Sequence, residues 1–200
     1  MRPRPLKTGV VLASLSTARR TLLAGAGVAF EAVAPGVDED AVKARMADAT
    51  PKAVAEALAA AKALAPTRPG ALVIGCDQTL ELEGRLYDKA PELTAARARL
   101  LALRGRTHQL HAAAAVARDG EVIWRTTATA ILTMRDFSEA FLDGYLATEG
   151  PTALGSVGCY RLEGPGAQLF DRIDGDYFAI LGLPLMELLD LLRREGTLTT

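Results

Sequence analysis

The feature that most constrains the fold is the stretch THQLHAAAAVARDGEVIWRTTATAILTM (107–134). It is apolar and rich in β-branched residues, and the pair Asp119-Gly120 interrupts it near its middle. An Asp-Gly pair between two such runs is a strong hairpin signal, because both residues tolerate the positive φ angles of a tight turn. We therefore predict two long antiparallel strands, which make any sheet built around them antiparallel at its centre.

Shorter strands and helices alternate on both sides of this hairpin. Apolar runs predict strands at 8–14, 28–35 and 71–76, with a glycine turn inside 80–87. Segments rich in alanine and leucine predict helices at 16–27, 41–65 (broken near Thr50-Pro51), 92–105, 138–148 and 184–196. The glycine-rich segment 149–184 is predicted to be irregular. The expected fold class is α/β, with a mixed β-sheet flanked by helices.

Charge and hydropathy argue against several classes of protein. The chain has 200 residues, a formal net charge of −1 and no basic block, which does not suit a broad nucleic-acid-binding surface. It has no run of about 18 uncharged apolar residues, so we expect no transmembrane helix and no membrane partner. The basic start MRPRPLKTGVVLAS lacks the features of a signal peptide, and we interpret it as a ragged terminus before the first strand.

One carboxylate stands at the predicted end of a buried strand. The run ALVIGCDQT (71–79) brings Asp77 and then the amide Gln78 directly after apolar residues. A buried ionised carboxylate is costly unless it is paired or binds a cation. The carboxyl ends of strands are also where α/β proteins place their ligand crevices. An aspartate that only caps a turn suits the position equally well, so location alone leaves both interpretations open.

Three other segments carry candidate polar side chains. In STARR (16–20), Ser16 and Arg19 stand where a strand leads into a helix, and helix starts attract anions. A plain serine cap is the simpler interpretation of that motif alone. The acids of VDED (37–40) complement a helix dipole or donate a carboxylate to a hard cation such as Mg²⁺. Lys89, in YDKAP, gains significance only beside acids and an arginine.

The histidines and cysteines are predicted to be structural. His108 and His111 lie three residues apart in a predicted strand, so they point to opposite faces and make a poor metal pair. Cys76 and Cys159 have no metal-binding spacing, which indicates reduced thiols and a cytosolic protein. A redox pair is one interpretation of these cysteines, and two small buried hydrophobic side chains is the interpretation that we prefer.

The order and spacing of these segments resemble the Maf family of nucleoside triphosphate pyrophosphatases. The resemblance covers nearly the whole chain, and its motifs are collectively specific. The matching segments are LASLSTAR (12–19), PGVDE (35–39), LAAAKA (58–63), IGCDQT (74–79), DKAPELTAARARLLALRGRTH (88–108) and GSVGCYRLEGPGAQLFDRIDGDYFAILGLPL (155–185).

This resemblance implies both a fold and an activity. The fold is a mixed sheet with two lobes around a deep cleft, of the Maf/ITPase type, and a single domain covers residues 1–200. The activity is hydrolysis between the α- and β-phosphates of a nucleotide, which gives a monophosphate and pyrophosphate and cleans unwanted nucleotides from the pool. Members are usually cytoplasmic, use a divalent metal (Mg²⁺, Mn²⁺ or Co²⁺) and often form homodimers.

The resemblance also implies a role for individual residues. Asp77 takes the position of the proton acceptor that activates water, directly or through the metal, and Glu39 helps to bind that metal. Asp77 is therefore expected near the metal as well, and Lys89 completes the catalytic set. The side chains implied to hold the phosphates are Ser16, Arg19, Lys62 and Lys89.

Three positions depart from the commonest family pattern and bear on the choice of base. Ala18 replaces an arginine, Gln78 replaces the threonine of the dTTP and UTP branch, and Glu163 stands where that branch has glutamine. Gln78 together with Glu163 before Gly-x-Gly resembles the branch that prefers 7-methyl-GTP. A carboxylate also suits a guanine edge, because it accepts from N1–H and the 2-amino group together. Ala18, Gln78 and Glu163 are therefore expected to select the base. Hydrolysis of dTTP or UTP is the alternative activity. A non-catalytic nucleotide-binding regulator of cell division is the alternative of another class.

Overall fold

A computed structural model describes residues 9–199, so the predicted ragged terminus lies outside the described residues. The strands are β1 (Val10–Leu12), β2 (Glu31–Ala32), β3 (Leu72–Leu82), β4 (Arg85–Tyr87), β5 (Thr107–Arg118), β6 (Glu121–Met134) and β7 (Phe170–Asp174). The α-helices are α1 (Thr17–Gly25), α2 (Glu39–Ala44), α3 (Pro51–Leu64), α4 (Leu93–Leu103), α5 (Glu139–Glu149), α6 (Tyr177–Ile180) and α7 (Leu185–Arg194). Two 3₁₀ segments cover Gly150–Gly155 and Pro165–Leu169.

The strands form a seven-stranded sheet in the order β2-β1-β3-β5-β6-β7, and β4 pairs with β3. The strand β1 runs parallel to β2 and β3, whereas the other pairs are antiparallel. The predicted hairpin is β5–β6, and its turn residues Asp119 and Gly120 have φ angles of 50° and 86°. The predicted mixed α/β sheet with flanking helices is therefore confirmed.

Several predicted boundaries are wrong. The strand predicted at 28–35 is reduced to β2, and the segment predicted to be irregular contains β7 and α6. The strand predicted to end at Cys76 continues to Leu82, because β5 pairs with it over this stretch and Leu80 and Leu82 are buried. Asp77 therefore lies in the middle of a strand, not at its carboxyl end.

Two large hydrophobic clusters occupy one face of the sheet. One joins β1 and the start of β3 to α1 and α7, and the other joins the far half of β3 to α4 and α5. On the opposite face, alanines of α3 pack against alanines of β5. None of the helices within residues 9–199 is both long and apolar enough to cross a membrane.

Candidate active site

All of the predicted site residues line one cavity of about 1120 Å³. They come from α1, α2, α3, β3 and the segments before α4 and after α5, so only the tertiary fold brings them together. They are Ser16, Ala18, Arg19, Glu39, Lys62, Asp77, Gln78, Lys89 and Glu163.

The cavity opens where the edge of β3 is unpaired. On this edge, β1 pairs with residues 72–74 and β4 pairs with residues 80–82. Within the described part of the chain, no strand fills the gap between them. Successive side chains of a strand point to opposite faces, and yet Asp77 and Gln78 both line the cavity. The open edge explains this, because the cavity reaches both faces of the strand there.

A glycine allows the helix α3 to lie close against β3. A Cβ atom at Gly75 would stand only 2.2 Å from the backbone oxygen of Ala59. This close approach carries Lys62 of α3 to Asp77, with 2.7 Å between Nζ and Oδ1. Lys62 Nζ also lies 2.7 Å from Glu39 Oε1. The side chains of Lys62 and Asp77 are only 7% and 11% exposed, so one buried ammonium group joins two carboxylates.

Burial and neighbouring charges shift the ionisation of these groups. Burial raises the pKa of Asp77, although Lys62 and Arg19 act in the opposite direction. Burial also acts to raise the pKa of Glu39, but the hydrogen bond and charge of Lys62 outweigh it and lower that pKa. Burial, with the charges of Arg19 and Lys62, lowers the pKa of Lys89. The site thus combines a carboxylate of increased basicity with several cations.

The start of α1 forms another wall of the cavity. Ser16 caps the helix as predicted, since its Oγ accepts a hydrogen bond from the backbone N–H of Arg19 at 3.5 Å. The Arg19 guanidinium donates from Nε to the carbonyl oxygen of Gly182 at 2.8 Å. That bond holds the guanidinium at the cavity wall, beside a helix start whose free N–H groups favour an anion.

Of the residues predicted to select the base, Ala18 lies at the start of α1, whereas Gln78 and Glu163 lie on the wall formed with α6 and the segment after α5. The Gln78 Nε2 group donates to the carbonyl oxygens of Ala179 (2.9 Å) and Ile180 (3.0 Å), which leaves its Oε1 for a ligand. Glu163 lies in the turn at 162–164, and 3.7 Å separates its Oε1 from Arg161 Nε. This wall therefore presents an amide oxygen and a carboxylate.

The side chains of the two histidines lie on opposite faces of β5, as predicted. His108 is buried and shares a hydrogen bond of 2.7 Å with the hydroxyl of Tyr160, and burial lowers its pKa to about 4. His111 lies between Glu81, at 2.8 Å, and Thr129, at 3.0 Å. Neither histidine lines the cavity, which agrees with a structural role.

The cysteines are free and buried in separate hydrophobic clusters. Burial raises the pKa of Cys76 to about 11, so its thiol stays protonated at neutral pH. The interpretation of both residues as small hydrophobic side chains is therefore supported by their packing, and a redox pair is not.

Four charged residues of the cavity wall were not assigned to the site from the sequence. They are Lys43, Asp88, Arg161 and Asp40, the last of which was considered only as one of the acids of VDED. The position of Lys43 could have been predicted from its spacing. It follows Glu39 by four residues in one helix, and residues at that spacing share a face. Asp88 directly precedes Lys89, but adjacency alone does not indicate a side chain that reaches the same cavity.

Comparison with known proteins agrees with this geometry. The family described as Maf-like protein matches residues 9–195. The chain is 60% identical over 196 residues to a nucleoside triphosphate pyrophosphatase of Caulobacter vibrioides, covering 96% of this chain and 98% of the relative. It is 49% identical over 190 residues to a 7-methyl-GTP pyrophosphatase of Brucella abortus (93% and 96% covered). It is also 49% identical over 193 residues to one of Mesorhizobium japonicum (94% and 97% covered). The chain therefore belongs to the Maf-like protein family.

Proposed function

We propose that the protein is a metal-dependent nucleoside triphosphate pyrophosphatase that prefers a modified purine nucleotide such as 7-methyl-GTP. The observation that carries the proposal is the buried carboxylate of Asp77, bonded to Lys62 in a cavity that Arg19 and Lys89 also line. Relatives named nucleoside triphosphate pyrophosphatase, identical at 52–60% of positions over most of the chain, support the hydrolase class.

In the proposed reaction, Asp77 accepts a proton from a water molecule that attacks the α-phosphorus. The bond between that phosphorus and the oxygen bridging to the β-phosphate breaks, and pyrophosphate leaves. Burial makes Asp77 a stronger base than an exposed aspartate, and Lys62 holds its carboxylate in place. Arg19, Lys89 and the backbone N–H groups at the start of α1 oppose the charge of the phosphates.

The residues present suit a hydrated divalent cation better than a metal held by protein alone. Among residues 9–199, no group of three or more histidine, cysteine or acidic side chains is arranged to hold an ion. Glu39 and Asp77 do supply two carboxylates around one ammonium group. Mg²⁺ commonly binds one or two carboxylates together with substrate phosphates and water. Such an ion, when bound, neutralises phosphate charge and favours deprotonation of water.

The proposed base preference depends on Gln78 and Glu163. A guanine edge offers N1–H and a 2-amino group, which a carboxylate such as that of Glu163 accepts together. Ala18 is small and leaves room at the wall of the cavity that the start of α1 forms. Two of the relatives named above are 7-methyl-GTP pyrophosphatases, which favours this preference over the alternative of dTTP or UTP. A role in cleaning the nucleotide pool follows from it.

Three further expectations belong to the same proposal. A single domain over residues 1–200, homodimerisation and a cytoplasmic location stay predictions. The alternative of another class, a non-catalytic nucleotide-binding regulator of cell division, has no need for a water-activating acid. The presence of Asp77 and Glu39 in the cavity favours catalysis over that alternative.

The proposal is tested by a panel of canonical and modified triphosphates with Mg²⁺, Mn²⁺ or Co²⁺, with release of pyrophosphate as the measurement. We expect 7-methyl-GTP to be turned over most efficiently, and a chelator to abolish turnover until the metal is restored. Asp77→Asn should lower kcat by about 10²–10⁴-fold, the usual contribution of general base catalysis.

The matched control is Asp190→Asn, because Asp190 is an exposed aspartate of α7 that pairs only with Arg193 among the described residues. It should leave turnover unchanged. If no nucleotide in the panel releases pyrophosphate, the enzymatic proposal is contradicted, and the non-catalytic nucleotide-binding regulator becomes the favoured alternative. Turnover at the wild-type rate in Asp77→Asn would contradict its role in activating water.

A further inference from the structure

Lys43 is a cation of the cavity that has no role in the mechanism above. It lines the same cavity as Arg19, Lys62 and Lys89. It stands one turn after Glu39 in α2, so the two side chains share a face of the helix. Burial acts to lower the pKa of Lys43, but the hydrogen bond and charge of Asp88 outweigh it and raise that pKa. The charge of Glu39 adds a smaller effect in the same direction. Lys43 is therefore charged and close to the acids of the site.

The partner of Lys43 is an exposed carboxylate. Its Nζ lies 2.6 Å from Oδ1 of Asp88, and the two side chains are 22% and 61% exposed. Ion pairs that remain open to solvent stabilise a protein little. A phosphate oxygen offers Lys43 a charge-assisted hydrogen bond of the same kind, so exchange of Asp88 for it costs the protein little when a nucleotide is present.

The helix that carries Lys43 packs only partly against the rest of the protein, and two ion pairs link it to the cavity. None of the residues of α2 is buried. Its links to the rest of the cavity are the pair of Glu39 with Lys62, at 2.7 Å, and the pair of Lys43 with Asp88. A helix without a fully buried residue can follow a ligand at a smaller cost than a helix that is anchored in the core.

The cations already assigned to the phosphates are partly engaged by the protein. Lys62 Nζ bonds to both Asp77 and Glu39, and Arg19 Nε bonds to the carbonyl oxygen of Gly182. A triphosphate brings several negative charges into the cavity. Lys43, whose ion-pair partner among residues 9–199 is the exposed Asp88, is well suited to meet them.

We propose that Lys43 is a further substrate-binding residue, which leaves Asp88 and binds the pyrophosphate end of the nucleotide. Lys43 and Lys89 line the same cavity and both act on the charge of Glu39, so Lys43 reaches the phosphates from the side of Lys89, whereas Asp77 acts at the α-phosphorus. The inference rests on the proposed function, because it requires a triphosphate in this cavity.

The test compares Lys43→Gln with wild type in two assays. Calorimetric titration with inorganic pyrophosphate should show binding weakened about tenfold, the usual effect of losing one charged hydrogen bond. Steady-state kinetics should show a KM for the triphosphate raised by a similar factor, with a smaller change in kcat. Lys43→Arg should retain most of the affinity, and inhibition by the nucleoside monophosphate should not change.

Two controls separate binding from a structural role. Asp88→Asn breaks the same ion pair but leaves the ammonium group free, so it should bind pyrophosphate at least as tightly as wild type. If Lys43 served only to hold α2, Asp88→Asn would lose as much affinity as Lys43→Gln. Lys52→Gln removes a charge from an exposed position of α3 outside the cavity, and it should behave as wild type.

Failure of the inference and failure of the proposed function are distinguishable. If the wild-type protein hydrolyses triphosphates and Lys43→Gln changes neither the KM nor the affinity for pyrophosphate, the inference fails but the proposed function stands. Equal losses in Lys43→Gln and Asp88→Asn would also overturn it. If wild type hydrolysed no triphosphate, the proposed function would fail, and the calorimetric comparison would still decide whether Lys43 binds pyrophosphate. Absence of pyrophosphate binding by wild type would overturn the inference too.

Discussion

Lys62 and Asp77 come from different elements, α3 and β3, and form a buried ion pair with 2.7 Å between Nζ and Oδ1. The same ammonium group bonds to Glu39 at the start of α2. One lysine therefore links a helix, a strand and an exposed helix terminus at the base of the cavity. The stability of this region and its proposed chemistry depend on the same pair.

Removal of Lys62 should destabilise the fold. Lys62→Met leaves the Asp77 carboxylate buried without its main partner, which should lower the free energy of unfolding by about 3 kcal/mol. Urea denaturation measures this change. The double variant Lys62→Met with Asp77→Leu should be more stable than the single variant, because no unpaired charge remains. A single variant as stable as wild type would contradict the importance of the pair.

Substitution of Gly75 should weaken the contact between α3 and β3. In Gly75→Ala the new Cβ meets the backbone of Ala59 and Ala63, at 2.2 Å and 2.3 Å, and backbone cannot rotate away. We expect a loss of about 3 kcal/mol in unfolding free energy and reduced turnover, because α3 carries Lys62. Thermal unfolding and turnover are the measurements.

The matched control for that substitution is Gly144→Ala, in the helix α5. A Cβ there meets no atom within 4 Å, and alanine is the better helix former. It should stabilise the protein by up to about 1 kcal/mol. Equal destabilisation by both changes would show that close packing at Gly75 is not responsible.

The pH dependence of kcat/KM should reflect Asp77 and Lys89. Since burial raises the pKa of Asp77, its active carboxylate form should be lost, as pH falls, at a higher pH than for an exposed aspartate. Lys62 opposes that shift, so Lys62→Gln should move the acid limb to still higher pH. A pH–rate profile of wild type and variant provides the measurement. An acid limb that moves to lower pH in Lys62→Gln would contradict this account.

The alkaline limb should depend on Lys89. Burial and neighbouring cations lower its pKa, so its positive charge should be lost at a lower pH than in an exposed lysine. Lys89→Arg keeps a charge at all accessible pH values and should move the alkaline limb to higher pH. An alkaline limb that stays in place in this variant would exclude Lys89 as its origin.

Glu163 should influence the choice of base. Glu163→Gln replaces one of two acceptor oxygens by an amide donor, which should lower kcat/KM for 7-methyl-GTP about tenfold and leave that for UTP nearly unchanged. Parallel assays with both nucleotides measure the ratio. Glu187→Gln, an exposed position of α7, is the control. A ratio unchanged by Glu163→Gln would remove this residue from base selection.

Local patterns in the sequence were sufficient to predict most helices and the central hairpin. The caps at Ser16 and Ser138 and the turn at Asp119-Gly120 act over a few residues, so their effect is visible without the fold. The candidate site residues are predicted by resemblance to a family and not by local physics. From its local sequence, Asp77 fits a turn cap and a ligand site equally well.

Only the tertiary structure decided how these residues meet. The strand β3 continues past Asp77 because β5 pairs with it and because Leu80 is buried in the hydrophobic cluster with α4 and α5. Neither contact is local in sequence. The same holds for the bonds of Lys62 to both carboxylates and for the pair of Lys43 with Asp88. Short-range sequence determines backbone preferences, whereas contacts between distant segments depend on how the sheet and helices pack. The cavity and its charge pattern are products of that packing.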